Sequence, residues 1–136
     1  MEIRAGKTIL VVDDYKSLRE LTANMLRTFG YRVLTAANGR SALHLAMLAD
    51  APKIDLLLTD YEMPDMRGDE LAREFHHTCP TAKIVLMSTS ALTPGLEDLC
   101  LLLTKPFRAH ELVQSVEAAF GSKRCDEAAL REVERL

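Results

Sequence analysis

Short apolar runs alternate with stretches of helical periodicity along most of this chain. The runs lack the every-second-residue alternation of a half-exposed strand, which is typical of a parallel sheet covered on both faces. They occupy residues 8–12, 31–36, 54–59, 83–88 and 100–104. Helical stretches follow the first, second, third and fifth runs, and each presents one apolar stripe. Five strands and four clear helices therefore predict an open, doubly wound α/β sheet with right-handed crossovers.

Single residues predict where the helices begin and end. Asp14 is placed to cap the first helix, and Gly30 to end it in a left-handed turn. Asn38-Gly39 alone would indicate a hairpin turn, but helical periodicity follows the pair, so we interpret it as a loop and a helix cap. The two later helices are predicted at about residues 68–77 and 108–120.

The chain length of 136 residues fits one domain, because domains most often contain roughly 100 to 150 residues. We expect residues 1–121 to form this domain and residues 122–136 to form a C-terminal extension or linker. The extension carries Leu130, Val133 and Leu136, so a short helix, a linker to another module, a dimer contact and a solvated tail all stay open.

Charge and composition argue against several classes of function. The net charge is −3 and no basic stripe occurs, which disfavours direct binding to nucleic acid. The N-terminus lacks the apolar core of a signal peptide, and no apolar run approaches the roughly 18 residues of a membrane span, so we expect a cytoplasmic protein that does not enter a membrane. Three cysteines at wide spacings fit neither a disulfide framework nor a zinc site.

Polar side chains stand where four of the five predicted strands end. The first strand is followed by Asp13 and Asp14, the third by Asp60, and the fifth by Lys105, while the fourth ends in Ser88. In open α/β sheets, ligands bind outside the carboxyl ends of the strands. If these four strands lie side by side, the sequence predicts that three carboxylates, a hydroxyl and an ammonium converge on one site.

Three carboxylates at close range repel one another, by about 1 kcal/mol per pair in water and about 4 kcal/mol at an effective dielectric constant of 20. A divalent cation offsets this repulsion, and Mg²⁺ suits a few carboxylates together with waters and phosphate oxygens. The cluster contains no cysteine or histidine, which disfavours zinc. Lys105 would supply a second positive charge.

Asp60 is the best-placed nucleophile, because it ends the predicted central strand and opens the loop of residues 60–68. A carboxylate beside Mg²⁺ and a lysine can attack phosphorus, since the cations neutralise charge on the phosphoryl oxygens. Ser88 is placed to donate its hydroxyl to one phosphoryl oxygen while Lys105 pairs with another.

Taken together, these residues give the chain a resemblance to the receiver domain of bacterial response regulators, over roughly residues 8–120. The resemblance is carried by Asp13-Asp14 after the first strand, Asp60 followed by Met63-Pro64 and Gly68, Ser88 at the end of the fourth strand, and Lys105-Pro106-Phe107 after the fifth. Each element alone would be weak, but the four in this order are highly specific.

The resemblance implies a flavodoxin-like fold with strand order 2-1-3-4-5. It implies phosphotransfer to Asp60 from a histidine kinase or a histidine phosphotransfer domain. It also implies Mg²⁺ held by Asp13, Asp14, Asp60 and the backbone carbonyl of Glu62, and a cis peptide bond before Pro106.

This sequence departs from the family pattern in two places. Leu102 stands three positions before the lysine, where family members usually have an aromatic switch residue. Residues 89–99 are few for the family and leave room only for a shortened fourth helix. The sequence thus gives no support to activation through the usual face of the fourth helix, fifth strand and fifth helix. Shortened receivers of this kind resemble those fused to hybrid histidine kinases.

Two other functions stay open. An aspartyl-phosphate phosphohydrolase would also use Asp60, and Asp60-Tyr61-Glu62 faintly resembles its carboxylate-x-carboxylate motif, but the upstream acidic pair and the small size argue against it. A pseudo-receiver that acts only as an interaction module would fit Leu102, whereas the intact Asp60 and Lys105 argue against it. We therefore expect a phosphoacceptor domain that catalyses only its own phosphorylation and dephosphorylation.

Overall fold

The structure is a computed structural model that describes residues 6–89 and 101–121. Within these ranges it contains the predicted five strands and four helices. In chain order they are β1 (Thr8–Val12), α1 (Lys16–Thr28), β2 (Arg32–Ala36), α2 (Gly39–Ala46), β3 (Leu56–Asp60), α3 (Gly68–Thr78), β4 (Lys83–Ser88), β5 (Leu101–Thr104) and α4 (Ala109–Phe120).

All five strands form one parallel sheet in the order β2-β1-β3-β4-β5, which confirms the order predicted from the family resemblance. The strands β1 and β3 are fully buried along their whole length, as the unbroken apolar runs predict. Because all strands run the same way, their carboxyl ends lie along one edge of the sheet. The fold class is therefore confirmed as a doubly wound α/β sheet.

The two faces of the sheet carry separate hydrophobic clusters. Alternate residues of β1 point to opposite faces, so Leu10 and Val12 join one cluster while Ile9 and Val11 join the other. The first cluster is completed by side chains of α2 and α3, and the second by side chains of α1 and α4. This arrangement fixes the register of the strands, because a slip by one residue would exchange the two sets.

The predicted end of α1 and the predicted cap of α2 are both confirmed. Gly30 has a φ of 96°, and its N–H donates to the carbonyl of Arg27 while the N–H of Tyr31 donates to the carbonyl of Leu26. These two bonds form a Schellman turn, which requires the left-handed conformation that glycine adopts without strain. At α2, the Asn38 side chain accepts a hydrogen bond from the N–H of Ser41 at 2.8 Å.

The prediction that Asp14 caps α1 is wrong. The N-cap is Tyr15, and its side chain makes no capping hydrogen bond. The Asp13 carboxylate instead accepts a hydrogen bond from the N–H of Tyr15 at 3.0 Å, so the acidic residue one position earlier shapes this turn. Asp14 is exposed at the edge of the sheet.

Some predictions fall on parts of the chain that the structure does not describe. These are the shortened helix predicted between β4 and β5 at residues 89–99, of which the structure describes only Thr89, the strand position of Cys100, and the extension at residues 122–136. Among the helices in the described ranges, none has both the length and the apolar character needed to cross a bilayer.

Leu57→Ala is expected to lower the free energy of unfolding by about 2–5 kcal/mol, because it leaves a cavity in the central strand. Leu57 is 0% exposed and lies on β3, between β1 and β4. Leu21→Ala is a matched control, since Leu21 is 51% exposed and its truncation should cost no more than about 0.5 kcal/mol. Urea denaturation of both variants measures the difference, and equal losses would contradict the described core.

Candidate functional site

The carboxyl edge of the sheet brings the predicted polar side chains together. Asp13 and Asp60 stand at the ends of the neighbouring strands β1 and β3. On the other side of β3, the pairing of β4 with β5 continues past the strand ends, because the N–H of Lys105 donates to the carbonyl of Ser88 at 2.9 Å. The strand ends that the sequence predicts to converge therefore lie side by side in the described sheet.

Asp13, Asp14 and Asp60 form an acidic cluster. A carboxylate oxygen from each of them lies within 4.8 Å of one from each of the others. Asp13 is 1% exposed and Asp60 is 9% exposed, while Asp14 faces solvent. Two of the three charges are thus largely removed from water, which makes their repulsion stronger than it would be on an open surface.

The Lys105 ammonium lies between two of these carboxylates. Its Nζ is 3.2 Å from Oδ2 of Asp13, with a hydrogen bond to that oxygen, and 3.3 Å from Oδ2 of Asp60. The lysine side chain is only 11% exposed, so solvent screens these contacts weakly. Lys105 therefore ties the end of β5 to the ends of β1 and β3 across the sheet edge.

One ammonium does not neutralise three carboxylates. Burial raises the pKa of Asp60 above its ordinary value, the Lys105 ammonium opposes this rise, and the nearby charges of Asp13 and Asp14 add to it. The Lys105 ammonium therefore does not offset the combined effect of burial and of the neighbouring carboxylates on Asp60.

The residues of the cluster fit a hard divalent cation. Their donor atoms are carboxylate oxygens, with no sulfur or imidazole in the cluster, and this is the donor set that Mg²⁺ prefers. A cation bound among these three carboxylates would offset their mutual repulsion. Asp13, Asp14 and Asp60 are thus suitable Mg²⁺ ligands on the chemistry of their side chains.

The backbone of Asp13 is fixed by a contact that the sequence did not reveal. Nη1 of Arg19 donates to the Asp13 carbonyl at 2.7 Å, reaching back from the first turns of α1. The N–H of Asp13 donates to the carbonyl of Ala36 on the other side. No spacing rule connects a loop carbonyl with an arginine six residues later, so sequence reasoning had no means of finding this pair.

The loop after β3 passes very close to the strand end. The N–H of Gly68 donates to the carbonyl of Tyr61 at 2.7 Å, and a Cβ atom at position 68 would lie 2.5 Å from the backbone oxygen of Asp60. A larger residue would therefore force the backbone at position 68 and that of Asp60 apart. This close approach explains why a glycine follows Asp60 at this distance in the chain.

Asp65 fastens the same loop to the beginning of α2. Its two carboxylate oxygens accept hydrogen bonds from the N–H groups of Gly39 and Arg40, at 3.2 and 3.0 Å. Partial burial would raise the pKa of Asp65, but these N–H groups stabilise the carboxylate and hold its pKa below the ordinary value. Sequence reasoning missed this contact because the two segments are about 25 residues apart.

Glu62 and Ser88 lie at the same edge of the sheet. Glu62 is exposed and lines an open groove next to Asp14, together with Tyr61, Met63, Pro64 and Arg67. Ser88 is buried, one residue beyond the β4 partner of Asp60. The structure thus brings both predicted residues to the edge that carries the acidic cluster.

Two further predictions concern β5 and the turn after it. The peptide bond between Lys105 and Pro106 is cis, as the family resemblance predicts. Leu102 pairs with Leu86 in the sheet and packs, partly buried, against the cluster of α2 and α3 side chains. Its effect on activation stays a prediction.

Comparison with known proteins decides the family. The model of the family described as "Response regulator receiver domain" matches residues 9–117. This chain belongs to that family. Receiver domains are generally non-enzymatic signalling domains of two-component systems that interact with histidine kinases or phosphotransfer proteins.

The receiver domain has relatives of two kinds. It is 36% identical over 123 residues to the phosphate regulon transcriptional regulatory protein PhoB of Pseudomonas aeruginosa, which covers 83% of this chain but only 51% of the relative. It is 35% identical over 116 residues to the response regulator receiver protein CpdR of Brucella abortus, covering 82% of this chain and 94% of the relative. The chain thus spans about half the length of the first relative and almost all of the second.

Solved structures of receiver domains have the same fold. The receiver domain of the hybrid histidine kinase CckA is 34% identical, with a TM-score of 0.70, and the match covers 82% of this chain and 97% of that one. The response regulator TrrA of Thermotoga maritima, solved in complex with Mg²⁺ and BeF, is also 34% identical, with a TM-score of 0.71 and coverage of 83% and 98%.

Asp65→Ala is expected to lower the free energy of unfolding at neutral pH by about 1 kcal/mol, the usual cost of losing a helix cap. Because the folded-state pKa of Asp65 is lowered, its charge stabilises the fold above the unfolded-state pKa of about 3.9, and this stabilisation is lost as the pH falls through the folded-state pKa. Urea denaturation of the wild type and the variant at about pH 7 and about pH 3 measures the difference. A difference that does not shrink at the lower pH would contradict the role of the charge.

Asp60→Asn is expected to stabilise the protein in the absence of divalent cations by about 1 kcal/mol at neutral pH, because it removes a poorly compensated buried charge. Thermal unfolding in the presence of a chelator measures the change. Asp50→Asn is the matched control, since Asp50 is exposed and lies outside the acidic cluster. A lower unfolding midpoint for Asp60→Asn than for the control would show that Lys105 fully compensates the cluster.

Proposed function

We propose that this receiver domain accepts a phosphoryl group on Asp60, with Mg²⁺ as cofactor, from a histidine kinase or a histidine phosphotransfer domain. The observation that carries the proposal is the position of Asp60, a buried carboxylate that shares one ammonium with Asp13 and has Asp14 beside it. Membership of the receiver family supports this type of reaction, and the position of Asp60 in the acidic cluster supports it as the acceptor.

Asp60 acts as the nucleophile in this proposal. One carboxylate oxygen attacks phosphorus as the bond from phosphorus to the donor imidazole nitrogen breaks, and the imidazole leaves with that electron pair. The leaving imidazole exchanges a proton with solvent as needed to become neutral. The products are an acyl phosphate on Asp60 and a neutral histidine on the donor. The attacking form of Asp60 in this proposal is the carboxylate, which carries no proton for a general base to remove.

Lys105 and Ser88 are assigned to the transferred group. The Lys105 ammonium already lies 3.3 Å from the Asp60 carboxylate, so it can pair with a phosphoryl oxygen without a large movement. Ser88, at the end of β4, is assigned as the donor of a hydroxyl hydrogen bond to a second phosphoryl oxygen. Both residues stabilise the charge that the reaction brings into the site.

Four groups are assigned as ligands of Mg²⁺: the carboxylates of Asp13, Asp14 and Asp60, and the backbone carbonyl of Glu62. When bound, Mg²⁺ supplies the positive charge that the phosphoryl oxygens and the acidic cluster require. The close packing of Gly68 on the Asp60 backbone and the attachment of Asp65 to α2 hold the loop that contains Glu62.

The biological setting belongs to the same proposal. We assign residues 1–121 to the receiver domain and residues 122–136 to an extension or linker, and we place the domain in the cytoplasm, where it would catalyse only its own phosphorylation and dephosphorylation. The likeness to the receiver of the hybrid kinase CckA fits an origin in such a kinase, and the likeness to PhoB fits a link to an output domain.

Incubation with acetyl phosphate and Mg²⁺ is expected to add one phosphoryl group to the wild-type protein, as measured by intact mass. Asp60→Asn should take up none, because a neutral amide replaces the nucleophilic carboxylate. Asp50→Asn, a change at an exposed position, should be labelled like the wild type. Omission of Mg²⁺ should slow labelling by at least about tenfold, since the charge on the incoming group is then poorly neutralised.

Two results would favour the other functions. A folded wild-type protein that takes up no phosphoryl group under these conditions would instead be a pseudo-receiver that acts through protein interaction. Steady turnover of a small phosphate ester that is abolished by Asp60→Asn would indicate a phosphohydrolase.

A further inference from the structure

Arg19 holds both ends of the short segment that contains Asp14. Its Nη1 donates to the carbonyl of Asp13 at 2.7 Å, and its backbone N–H donates to the carbonyl of Tyr15 at 2.9 Å. Asp14 is the residue between these two acceptors. The second bond is the first backbone hydrogen bond of α1, which any residue at this position would make, so the bond to the Asp13 carbonyl is the one that depends on the arginine side chain.

Asp13 and Asp14 differ in how their carboxylates are held. The Asp13 side chain is buried, and its oxygens accept hydrogen bonds from the Tyr15 N–H at 3.0 Å and from the Lys105 ammonium at 3.2 Å. Asp14 is exposed, so close packing does not fix its side chain. The position of the Asp14 carboxylate therefore depends on the course of the backbone through residues 13–15.

The bond from Arg19 is well suited to fixing this course. At 2.7 Å it is short, as expected for a hydrogen bond from a charged guanidinium. It is made to a backbone carbonyl, so it restrains the chain and leaves the carboxylates of the cluster available to a cation. Removal of hydrogen bonds to the ligating groups themselves commonly changes metal affinity by about 10- to 100-fold, and we expect a bond to the backbone of a ligand residue to act at the lower end of this range.

We propose that Arg19 is a positioning residue that sets where the Asp14 carboxylate stands relative to Asp13 and Asp60, and thereby sets the affinity of the cluster for Mg²⁺. The inference rests on the Mg²⁺ site of the proposed function, and it does not depend on phosphoryl transfer. Arg19 acts through the backbone of Asp13 and is not itself a ligand.

Arg19→Met tests the inference, because methionine keeps a long apolar stem and a good helix propensity but has no donor group. Arg27→Met is the matched control. Arg27 lies on the same helix, and its Nη2 also donates to a backbone carbonyl, that of Val33 at 3.1 Å, which lies in β2 away from the acidic cluster. Each variant loses one bond from a guanidinium to a backbone carbonyl, and Arg27→Met also loses the bond from Nη1 to Oδ1 of Asn24 at 3.3 Å.

Affinity for Mg²⁺ alone is the readout, measured by titration of the amide chemical shifts of the chelator-treated protein. Arg19→Met is expected to bind Mg²⁺ about tenfold more weakly than the wild type, whereas Arg27→Met should stay within about twofold. Arg19→Lys keeps one cationic donor and should recover part of the affinity. Should Arg19→Met fail to fold, Arg19→Gln also lacks the reach to the Asp13 carbonyl and decides in the same way.

Unchanged affinity in the folded Arg19 variant would overturn the inference, as would an equal loss in both arginine variants, which would indicate a general effect of weakening α1. A wild-type protein that binds no Mg²⁺ would overturn the proposed metal site together with the inference. A wild type that binds Mg²⁺ without being phosphorylated would remove the proposed phosphotransfer and leave the role of Arg19 to be decided by the titration.

Discussion

The ammonium of Lys105, shared between Asp13 and Asp60, is the contact on which the acidic edge of this protein depends. Each carboxylate is almost fully buried, and moving an unpaired ion out of water costs several kcal/mol. Lys105 lowers this cost because its ammonium lies close to both carboxylates. The lysine follows β5, whereas the two acids stand at the ends of β1 and β3. Burial nevertheless raises the pKa of Asp60 above its ordinary value, although the Lys105 ammonium opposes the rise.

The sheet supplies the geometry that makes such sharing possible. Parallel strands bring every carboxyl end to one edge, and the order β2-β1-β3-β4-β5 puts the third strand at the centre. Burial on both faces leaves little freedom in register, so a side chain at a strand end is positioned by the whole core beneath it. The positions of the carboxylates in the acidic cluster therefore depend on the hydrophobic packing as well as on their own charges.

The fold and the main residues of the site could be predicted from the sequence because they follow from local patterns. The apolar runs predict the strands, and the polar residues that follow three of these runs, Asp13, Asp60 and Lys105, are those that meet in the site. The errors and omissions have a different origin. Capping preferences do not distinguish two adjacent aspartates, so the sequence predicts Asp14 as the cap of α1, whereas the side chain that shapes the turn is that of Asp13. The contacts of Arg19 with the Asp13 carbonyl and of Asp65 with α2 join backbone groups to side chains at distances in the chain that no pattern encodes.

The bidentate grip of Asp65 has a consequence for how this region moves. The first N–H groups of α2 are all satisfied, two by Asp65 and the next two by the side chain and carbonyl of Asn38. A helix start that is completed by a carboxylate from another segment cannot fray while that segment stays in place. The segment after β3 and the first turn of α2 are consequently expected to move together, because a displacement of one breaks the hydrogen bonds that complete the other.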